Sequence, residues 1–205
     1  MIINIEIQVL NKIKKNKRGT LFFTDSFLSI GNAKAVNKAL QRLVEKGEIK
    51  RVDTGIYVKP RKSKLFGFLM PGLEEIAHSI AKRDKARIVP TGVFALNQLG
   101  LSTQVPMNVV YLTDGAARTV KVGNRFIKFK KTTPKNLSAK GEISSLVIQG
   151  LRTLGKDKIL PQEIEQILLL LKKEKQENII NDMKLAPEWI RQIFNKALNK
   201  NKSRV

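Results

Sequence analysis

Cysteine is absent from this sequence of 205 residues, and histidine occurs once. The absence of cysteine excludes a disulfide-bonded scaffold, a cysteine-ligated zinc site and a thiolate nucleophile. A single histidine excludes a histidine-rich metal site. Acidic residues are scarce too, because 17 Asp and Glu stand against 39 Lys and Arg and leave a net charge of +22. This surplus of positive charge favours polyanions as binding partners.

Long apolar runs are also missing, since none approaches the roughly 18 residues of a membrane-spanning helix. The N-terminal sequence MIINIEIQVLNKIKK has its apolar residues before its charges, which is the reverse of a signal peptide. We therefore expect a cytoplasmic protein with no membrane partner. The hydrophobic content of 42% is typical of a folded chain. The length allows one large or two small domains.

The first 66 residues hold 15 basic and 5 acidic residues, a net charge of +10. Their basic residues are interleaved with apolar ones, which indicates a folded unit rather than a disordered basic arm. A first helix is predicted by apolar residues at helical spacing, which are Ile3, Ile7, Leu10 and Ile13. Thr24 is predicted to cap a short second helix that ends at Leu28.

A third helix is predicted to begin at Asn32, a favourable N-cap residue, and to run to about Lys46. Gly47 follows in the position of a left-handed C-cap. The apolar side of this helix is formed by Val36, Leu40, Leu43 and Val44. At 100° per residue, the opposite side carries Lys34, Lys38, Gln41 and Arg42, with Asn37 at its margin. Two helices joined by a glycine turn are typical of a helix-turn-helix.

Side chains of these types can read DNA, because Lys and Arg bind phosphates or guanine while Asn and Gln pair with adenine. The chain continues into a predicted hairpin, 49–52 and 56–59, around the turn 53–55. Together these features predict a winged helix that binds double-stranded DNA. The candidate DNA-binding residues are Thr24, Asn32, Lys34, Asn37, Lys38, Gln41, Arg42, Lys59, Arg61 and Lys62. A solvated basic surface and a protein-docking winged helix are the alternatives.

From residue 66 the sequence has fewer charges and more Gly and Pro. Further helices are predicted over 71–81, 91–99 and 137–154, and strands over 109–113, 117–122 and 125–130. The pattern indicates an α+β protein in three parts. These parts are a winged helix-turn-helix at 1–65, a mixed α/β domain at 66–160 and C-terminal helices at 161–205.

Three runs of the sequence read GEIKRVDTGIYVKP, PGLEEIAHSIAKRDKARIVPTGVFALNQLGLSTQVPMNVVYLTDG and PKNLSAKGEISSLVIQGLRTLGKDKI. Over about residues 20–160 the chain resembles the AbiEi family of bacterial antitoxins from type IV toxin-antitoxin systems, most specifically at 90–115. The resemblance implies an antitoxin whose winged helix represses its own promoter. It also implies a second domain that counteracts a nucleotidyltransferase-like toxin. A plain regulator without a toxin and a protein-interaction module are the alternatives.

Catalytic and metal-binding patterns are weak. Glu74 and Glu75 point about 100° apart on a predicted helix, and Glu74 with His78 is only a single i, i+4 pair. Asp114 ends a strand, but the next two strands carry only basic charge, so a nuclease-type magnesium site lacks its second carboxylate. No phosphate-binding glycine motif surrounds Gly92. We therefore expect no enzyme activity, no cofactor and no bound metal.

The middle segment has a basic cluster of its own, formed by Arg125, Lys128, Lys130, Lys131 and Lys135. Strand alternation divides its charges between two faces. We interpret the cluster as a charged edge that discourages strand pairing or as an auxiliary phosphate contact. The C-terminal helices have apolar stripes, which either pack on their own domain or form the interface with a second copy, as in a homodimer, or with another partner protein.

Overall fold

The structure is a computed structural model that describes residues 4–63, 65 and 67–202, without the side chains of Lys62, Phe68 and 200–202. Within these ranges the chain is a mixed α+β protein, which confirms the predicted class. None of the helices in the described part combines the length and the apolar character needed to cross a membrane.

The described residues form eight α-helices and nine strands. The helices are α1 (Ile5–Lys14), α2 (Ala33–Glu45), α3 (Leu73–Asp84), α4 (Val93–Gln98), α5 (Glu142–Leu154), α6 (Pro161–Leu171), α7 (Gln176–Asp182) and α8 (Glu188–Lys202). The strands are β1 (Leu21–Phe23), β2 (Lys50–Asp53), β3 (Ile56–Val58), β4 (Arg61–Ser63), β5 (Gly67–Leu69), β6 (Ile88–Thr91), β7 (Val109–Thr113), β8 (Arg118–Val122) and β9 (Arg125–Lys131). They form three sheets in the orders β1-β3-β2, β4-β5 and β6-β7-β9-β8.

The chain divides into two compact units. Unit 1 comprises Met1–Ser79 and Val120–Asn124, and unit 2 comprises Ile80–Thr119 and Arg125–Val205. The first division therefore falls at Ser79, later than the change in composition at residue 66. That change lies inside the β4-β5 hairpin, in which Arg61 pairs with Leu69. A change of composition within a paired hairpin does not mark the end of a folding unit.

The first elements of unit 1 follow each other in the order of a winged helix. After α1 and β1, a 3₁₀ turn at Thr24–Phe27 leads into α2, and the β2-β3 hairpin follows. β3 is the central strand and is antiparallel to both of its neighbours, so that Val58 pairs with Leu21 on one side and Lys50 on the other. The hairpin is the wing that the sequence predicts.

The core of unit 1 is built from the apolar sides of α1 and α2 together with side chains of the sheet. Its most buried members include Val9, Ile13, Phe27, Val36, Leu40, Leu43 and Ile49. Full burial of one such side chain contributes about 1.5–3 kcal/mol to stability. This packing holds α2 by one side and leaves its other side to solvent.

The predicted first helix is present as α1, but only part of its apolar pattern faces the core. Ile7, one of the four residues whose spacing predicts the helix, is 52% exposed. The inner face follows an i, i+4 spacing through Val9 and Ile13 instead, with Leu10 partly buried beside them. Ile3, the fourth predicted member, lies outside the described residues.

The unit 2 strands β6, β7 and β9 pack on a helix with one face of their sheet. β6 and β7 are antiparallel, whereas β7 and β9 are parallel. Tyr111 of β7 and Phe129 of β9 are buried register partners, with their ring centres 6.1 Å apart. Phe94 of α4 meets the Tyr111 ring edge-on at 5.8 Å. Residues that alternate with these buried ones point to the other face.

Helix α5 begins later than the helix predicted from residue 137. A 3₁₀ turn at Pro134–Leu137 comes first, and the helix starts at Glu142. The fully buried carboxylate of Asp182 accepts hydrogen bonds from the backbone N–H groups of Lys140 and Gly141, at 2.8 and 2.7 Å. The hydrogen-bond acceptor of these amides thus comes from a distant part of the chain, and the sequence around residue 140 does not predict it.

The C-terminal helices belong to the core of unit 2. Side chains of α5, α6, α7 and α8 form one buried cluster, which includes Leu151, Ile167, Ile179, Ile190 and Phe194. The apolar stripes of α6 and α8 therefore pack within their own unit.

Candidate nucleic-acid interface

Helix α2 has well-defined ends. The side chain of Asn32 accepts a hydrogen bond from the backbone N–H of Ala35 at 2.9 Å, as an N-cap residue does. Gly47 has a φ of 70°, the left-handed conformation that follows many helices. The predicted N-cap is therefore confirmed, and the Asn32 side chain positions the helix rather than projecting from it.

The side of α2 opposite the core is exposed to solvent. Ala39, Leu40 and Leu43 are buried, and the predicted DNA-binding residues lie away from them. The exposed residues are Lys34, Asn37, Lys38, Gln41 and Arg42. The structure thus brings these five side chains to one surface, in agreement with the helical periodicity of the sequence.

Four of these residues fall into two pairs, according to whether they have a partner within the protein. Arg42 lies 3.8 Å from the carboxylate of Glu6 on α1, which also forms an ion pair with Lys46. Gln41 donates to Glu45 at 3.1 Å. In contrast, Lys34 and Lys38 form no ion pair with any residue that the structure describes. Two cations one helical turn apart are therefore free to meet an anion.

The pKa of Glu6 reflects this pairing. The hydrogen bond from Lys46, with the charges of Lys46 and Arg42, holds the pKa of Glu6 below its ordinary value of 4.5. Glu6 is therefore ionised at neutral pH and holds Arg42 toward α1. Arg42 remains exposed, with 61% of its side chain accessible.

A groove runs between α2 and the wing within unit 1. It has a volume of about 630 Å³. Its lining residues are Thr24, Asn37, Gln41, Val44, Arg51, Thr54, Gly55 and Tyr57. Three of the predicted residues thus line a concave surface beside the exposed side of the helix.

Thr24 does not cap a helix as predicted. It is the first residue of the 3₁₀ turn rather than the residue before it, and its side chain makes no capping hydrogen bond. Its backbone N–H donates to Gly55 at 3.1 Å, which ties the turn to the wing. Its hydroxyl is buried without a hydrogen-bond partner among the described residues. The capping prediction is wrong because β1 runs directly into the turn.

Strand β2 of the wing carries an arginine, Arg51, that is not among the predicted DNA-binding residues. Arg51 donates to the backbone oxygen of Asp53 and to the hydroxyl of Thr54, both at 3.3 Å. It is the cross-strand partner of Tyr57 and lines the groove. Strand alternation could have found it, because Arg51 lies two residues after the buried Ile49 and so points to the side of the sheet on which α2 packs.

Lys59 and Arg61 lie at the end of the hairpin away from its turn. The Lys59 ammonium donates to the backbone oxygens of Lys14 and Asn16, at 3.0 and 2.8 Å. Arg61 donates to the backbone oxygen of Arg18 and pairs with a carboxylate on α3, both at 3.3 Å. Strand β3 thus leads both residues away from the wing turn, and their side chains bind groups of the protein itself. The side chain of Lys62 lies outside the described residues.

The candidate catalytic residues are engaged elsewhere or exposed. His78 lies 3.9 Å from Glu74 on the surface, and Glu75 pairs with Arg61. Asp114 accepts hydrogen bonds from the side chain and backbone of Arg87 at 2.8 Å, which hold the pKa of Asp114 below its ordinary value of 3.8. In the described ranges, no three His, Asp or Glu residues stand close enough together to hold a metal ion.

The fold and the exposed basic helix define an α+β protein with an N-terminal winged-helix unit. The chain belongs to DUF6088, a family of unknown function that matches residues 8–179. No protein with curated annotation matches it. The crystal structure of the RV2827C protein from Mycobacterium tuberculosis is similar over 96% of this chain and 82% of that chain, with a TM-score of 0.43 and 9% sequence identity.

Proposed function

We propose that this chain is a transcriptional regulator whose unit 1 binds double-stranded DNA with α2 in the major groove. The observation that carries the proposal is the exposed side of α2, on which Lys34 and Lys38 lie one turn apart without an ion-pair partner among the described residues. Unpaired cations on an exposed helix suit a polyanion because binding releases the counterions of the phosphates. The net charge of +22 supports the same partner.

The dimensions of α2 support major-groove binding. The groove of B-DNA is about 12 Å wide and admits a helix. The 13 residues of α2 span about 20 Å at 1.5 Å each. Asn37 and Gln41 line the side of the helix that faces the wing, so their amides are placed to read base edges beside the lysine contacts.

Arg51 and Arg42 have different roles in this proposal. Arg51 braces the wing turn through Asp53 and Thr54 and is placed for backbone phosphates next to the groove. Arg42 is held toward α1 by Glu6, so it fixes the angle between the two helices more than it reads bases. Lys59 and Arg61 are absent from the proposed interface because they bind the protein's own backbone.

The proposal extends to an antitoxin of the AbiEi type. Its support is the resemblance of 90–115 and of the flanking runs to that family. On this basis we propose that the protein acts in the cytoplasm, represses its own promoter and counteracts a nucleotidyltransferase-like toxin. Co-expression with an adjacent reading frame of that kind is the test. Growth that recovers with the full chain supports an antitoxin, and growth that stays arrested leaves a plain regulator.

A gel shift with the DNA upstream of the protein's own gene tests the DNA-binding proposal. We expect Lys34→Ala/Lys38→Ala to weaken binding to this DNA and to shuffled DNA of the same length equally, because phosphate contacts carry no sequence information. Asn37→Ala should lower the affinity for the upstream DNA by about 5- to 150-fold, the loss expected for one base-edge contact, and leave the affinity for shuffled DNA unchanged.

The matched control is Lys172→Ala/Lys173→Ala, which removes the same charge from exposed positions after α6. It should bind as the unchanged protein does. If the α2 double variant binds both DNAs with unchanged affinity, α2 is not the DNA-binding element.

A further inference from the structure

The face of the unit 2 sheet opposite α4 carries a basic and aromatic strip on β9. Ile127 and Phe129 of this strand are buried, and the residues that alternate with them are exposed. These are Phe126, Lys128 and Lys130, which we call the β9 strip. Phe126 is 38% exposed, whereas the next residue of the strand, Ile127, is fully buried.

Apolar residues of the neighbouring strand form a floor beside the strip. In the parallel register of β7 and β9, Val110 pairs with Lys128 and Leu112 pairs with Lys130. Both β7 residues are half-buried and point to the same face as their partners. The side chain of Asn108 accepts a hydrogen bond from the Phe126 backbone N–H at 2.9 Å, which fixes the start of β9 against β7. The strip therefore stands on a rigid, partly apolar surface.

The two lysines of the strip lack compensating charge. Neither forms an ion pair with a carboxylate of the described chain. They lie two residues apart on one strand, so their side chains start about 6.6 Å from each other on the same face. Two neighbouring lysines on one face raise the local positive potential, which favours an anionic ligand.

We propose that the β9 strip binds single-stranded nucleic acid, with an unstacked base on the Phe126 ring and phosphates at Lys128 and Lys130. Aromatic rings beside a positive track are the combination that binds single strands without sequence preference, because every base has a π-face to stack. Double-stranded DNA offers no free base face to a side chain on an open sheet. The site lies in unit 2 and does not depend on the proposed DNA-binding role of α2.

Fluorescence anisotropy with 5′-labelled 12-nucleotide oligo(U) and oligo(dT) tests the proposal on the full chain. Phe126→Ala should weaken binding of both probes by about 5- to 150-fold, the loss expected for one stacked base. Phe126→Trp should restore it. Lys128→Gln/Lys130→Gln should weaken binding and make the log-log salt dependence shallower by about 1.4, since a single-strand phosphate contributes about 0.7.

Two further variants keep the test specific. Lys172→Gln/Lys173→Gln removes equal charge elsewhere in unit 2 and should leave the affinity unchanged. Lys34→Ala/Lys38→Ala should keep single-strand binding while losing duplex binding, so that failure of either proposal is seen separately. A preference for oligo(U) over oligo(dT) identifies RNA as the source of the ligand, and equal affinity indicates that the sugar is not read.

Two results overturn the proposal. One is that neither probe binds, which would leave an acidic protein surface as the partner of the strip. The other is that Phe126→Ala binds both probes as tightly as the unchanged protein, because stacking then plays no part. Circular dichroism of each variant checks that the fold is intact, and Phe126→Trp provides a second variant if the alanine change unfolds the sheet.

Discussion

Lys38 on α2 and Lys59 after β3 belong to the same unit but have opposite surroundings. Lys38 is exposed and has no ion-pair partner in the described chain. Lys59 donates to two backbone oxygens, those of Lys14 and Asn16 at the end of α1. The surroundings of a basic residue therefore decide whether it is available to bind an anion.

The difference has a simple physical cause. The last four carbonyls of a helix lack intrahelical partners and carry partial negative charge, so they attract a cation. Lys59 lies beside such an end, that of α1. Lys38 lies in the middle of α2, where the carbonyls are already bonded within the helix. The four substitutions considered next disturb the packing of α2, change each of the two lysines in turn, or remove a charge that pairs with α2.

The largest effect is expected from Leu40→Ala, which weakens the packing of α2, the helix that carries Lys38, on the core of unit 1. Leu40 is fully buried in the core of unit 1. A leucine-to-alanine change in a core costs about 2–5 kcal/mol. We expect a markedly lower denaturation midpoint in urea. The control Ile7→Ala, at an exposed position of α1, should unfold close to the unchanged protein.

Reversing the charge of Lys38 should come next. We expect Lys38→Glu to lower the affinity for duplex DNA by about 100-fold, or about 2.7 kcal/mol, because a contact is lost and a repulsion is gained. The stability of the protein should change little, since Lys38 has no described ion-pair partner to lose. Anisotropy and thermal melting measure the two effects, and Lys172→Glu serves as the control. Equal DNA affinities would contradict the assignment of Lys38.

Lys59→Ala should show the opposite pattern. Removal of two hydrogen bonds from a charged donor should cost about 1–2 kcal/mol of stability. The affinity for duplex DNA should stay within about twofold at a temperature where the variant is folded. Lys17→Ala, which removes the same charge from a nearby exposed position, should affect neither property. A large loss of DNA affinity with unchanged melting would show that Lys59 contacts DNA.

The smallest effect concerns Glu6 and its dependence on pH. Its pKa is lowered by the hydrogen bond from Lys46 in the folded state, so its contribution to stability is present above the ordinary value of 4.5 and is lost as the pH falls below it. Glu6→Gln should therefore melt at a slightly lower temperature at pH 7. The difference between the two melting temperatures should shrink as the pH falls below 4.5. A difference that persists at low pH would show that Glu6 acts through packing.

The sequence predicts the local features of the winged helix well. The cap at Asn32, the left-handed Gly47 and the exposed side of α2 all depend on residues within a few positions of each other. The contacts of Lys59 with the end of α1, and those of the buried Asp182 carboxylate with the amides before α5, join residues more than 40 positions apart. No periodicity within a segment carries that information, so these contacts are seen only in the folded chain.

The open face of the unit 2 sheet was also only partly predictable. Alternation separates Phe126 and Lys128 from Ile127 along one strand. The parallel pairing of β7 with β9 brings Val110 beside Lys128, although β8 lies between these two strands in the sequence. The pairing of β7 with β9 cannot be predicted from a local pattern. The sequence alone therefore indicates scattered charges, whereas the structure places the β9 strip beside the apolar side chains of β7.

The salt dependence of duplex binding tests the central claim most directly. The affinity for the upstream DNA is measured over a range of salt concentrations for the unchanged protein and for Lys34→Ala/Lys38→Ala. Each neutralised phosphate of a duplex contributes about 0.9 to the log-log slope. We predict a slope shallower by about 1.8 for the double variant, together with weaker binding. Identical slopes and affinities would contradict the proposal that α2 is the DNA-binding helix.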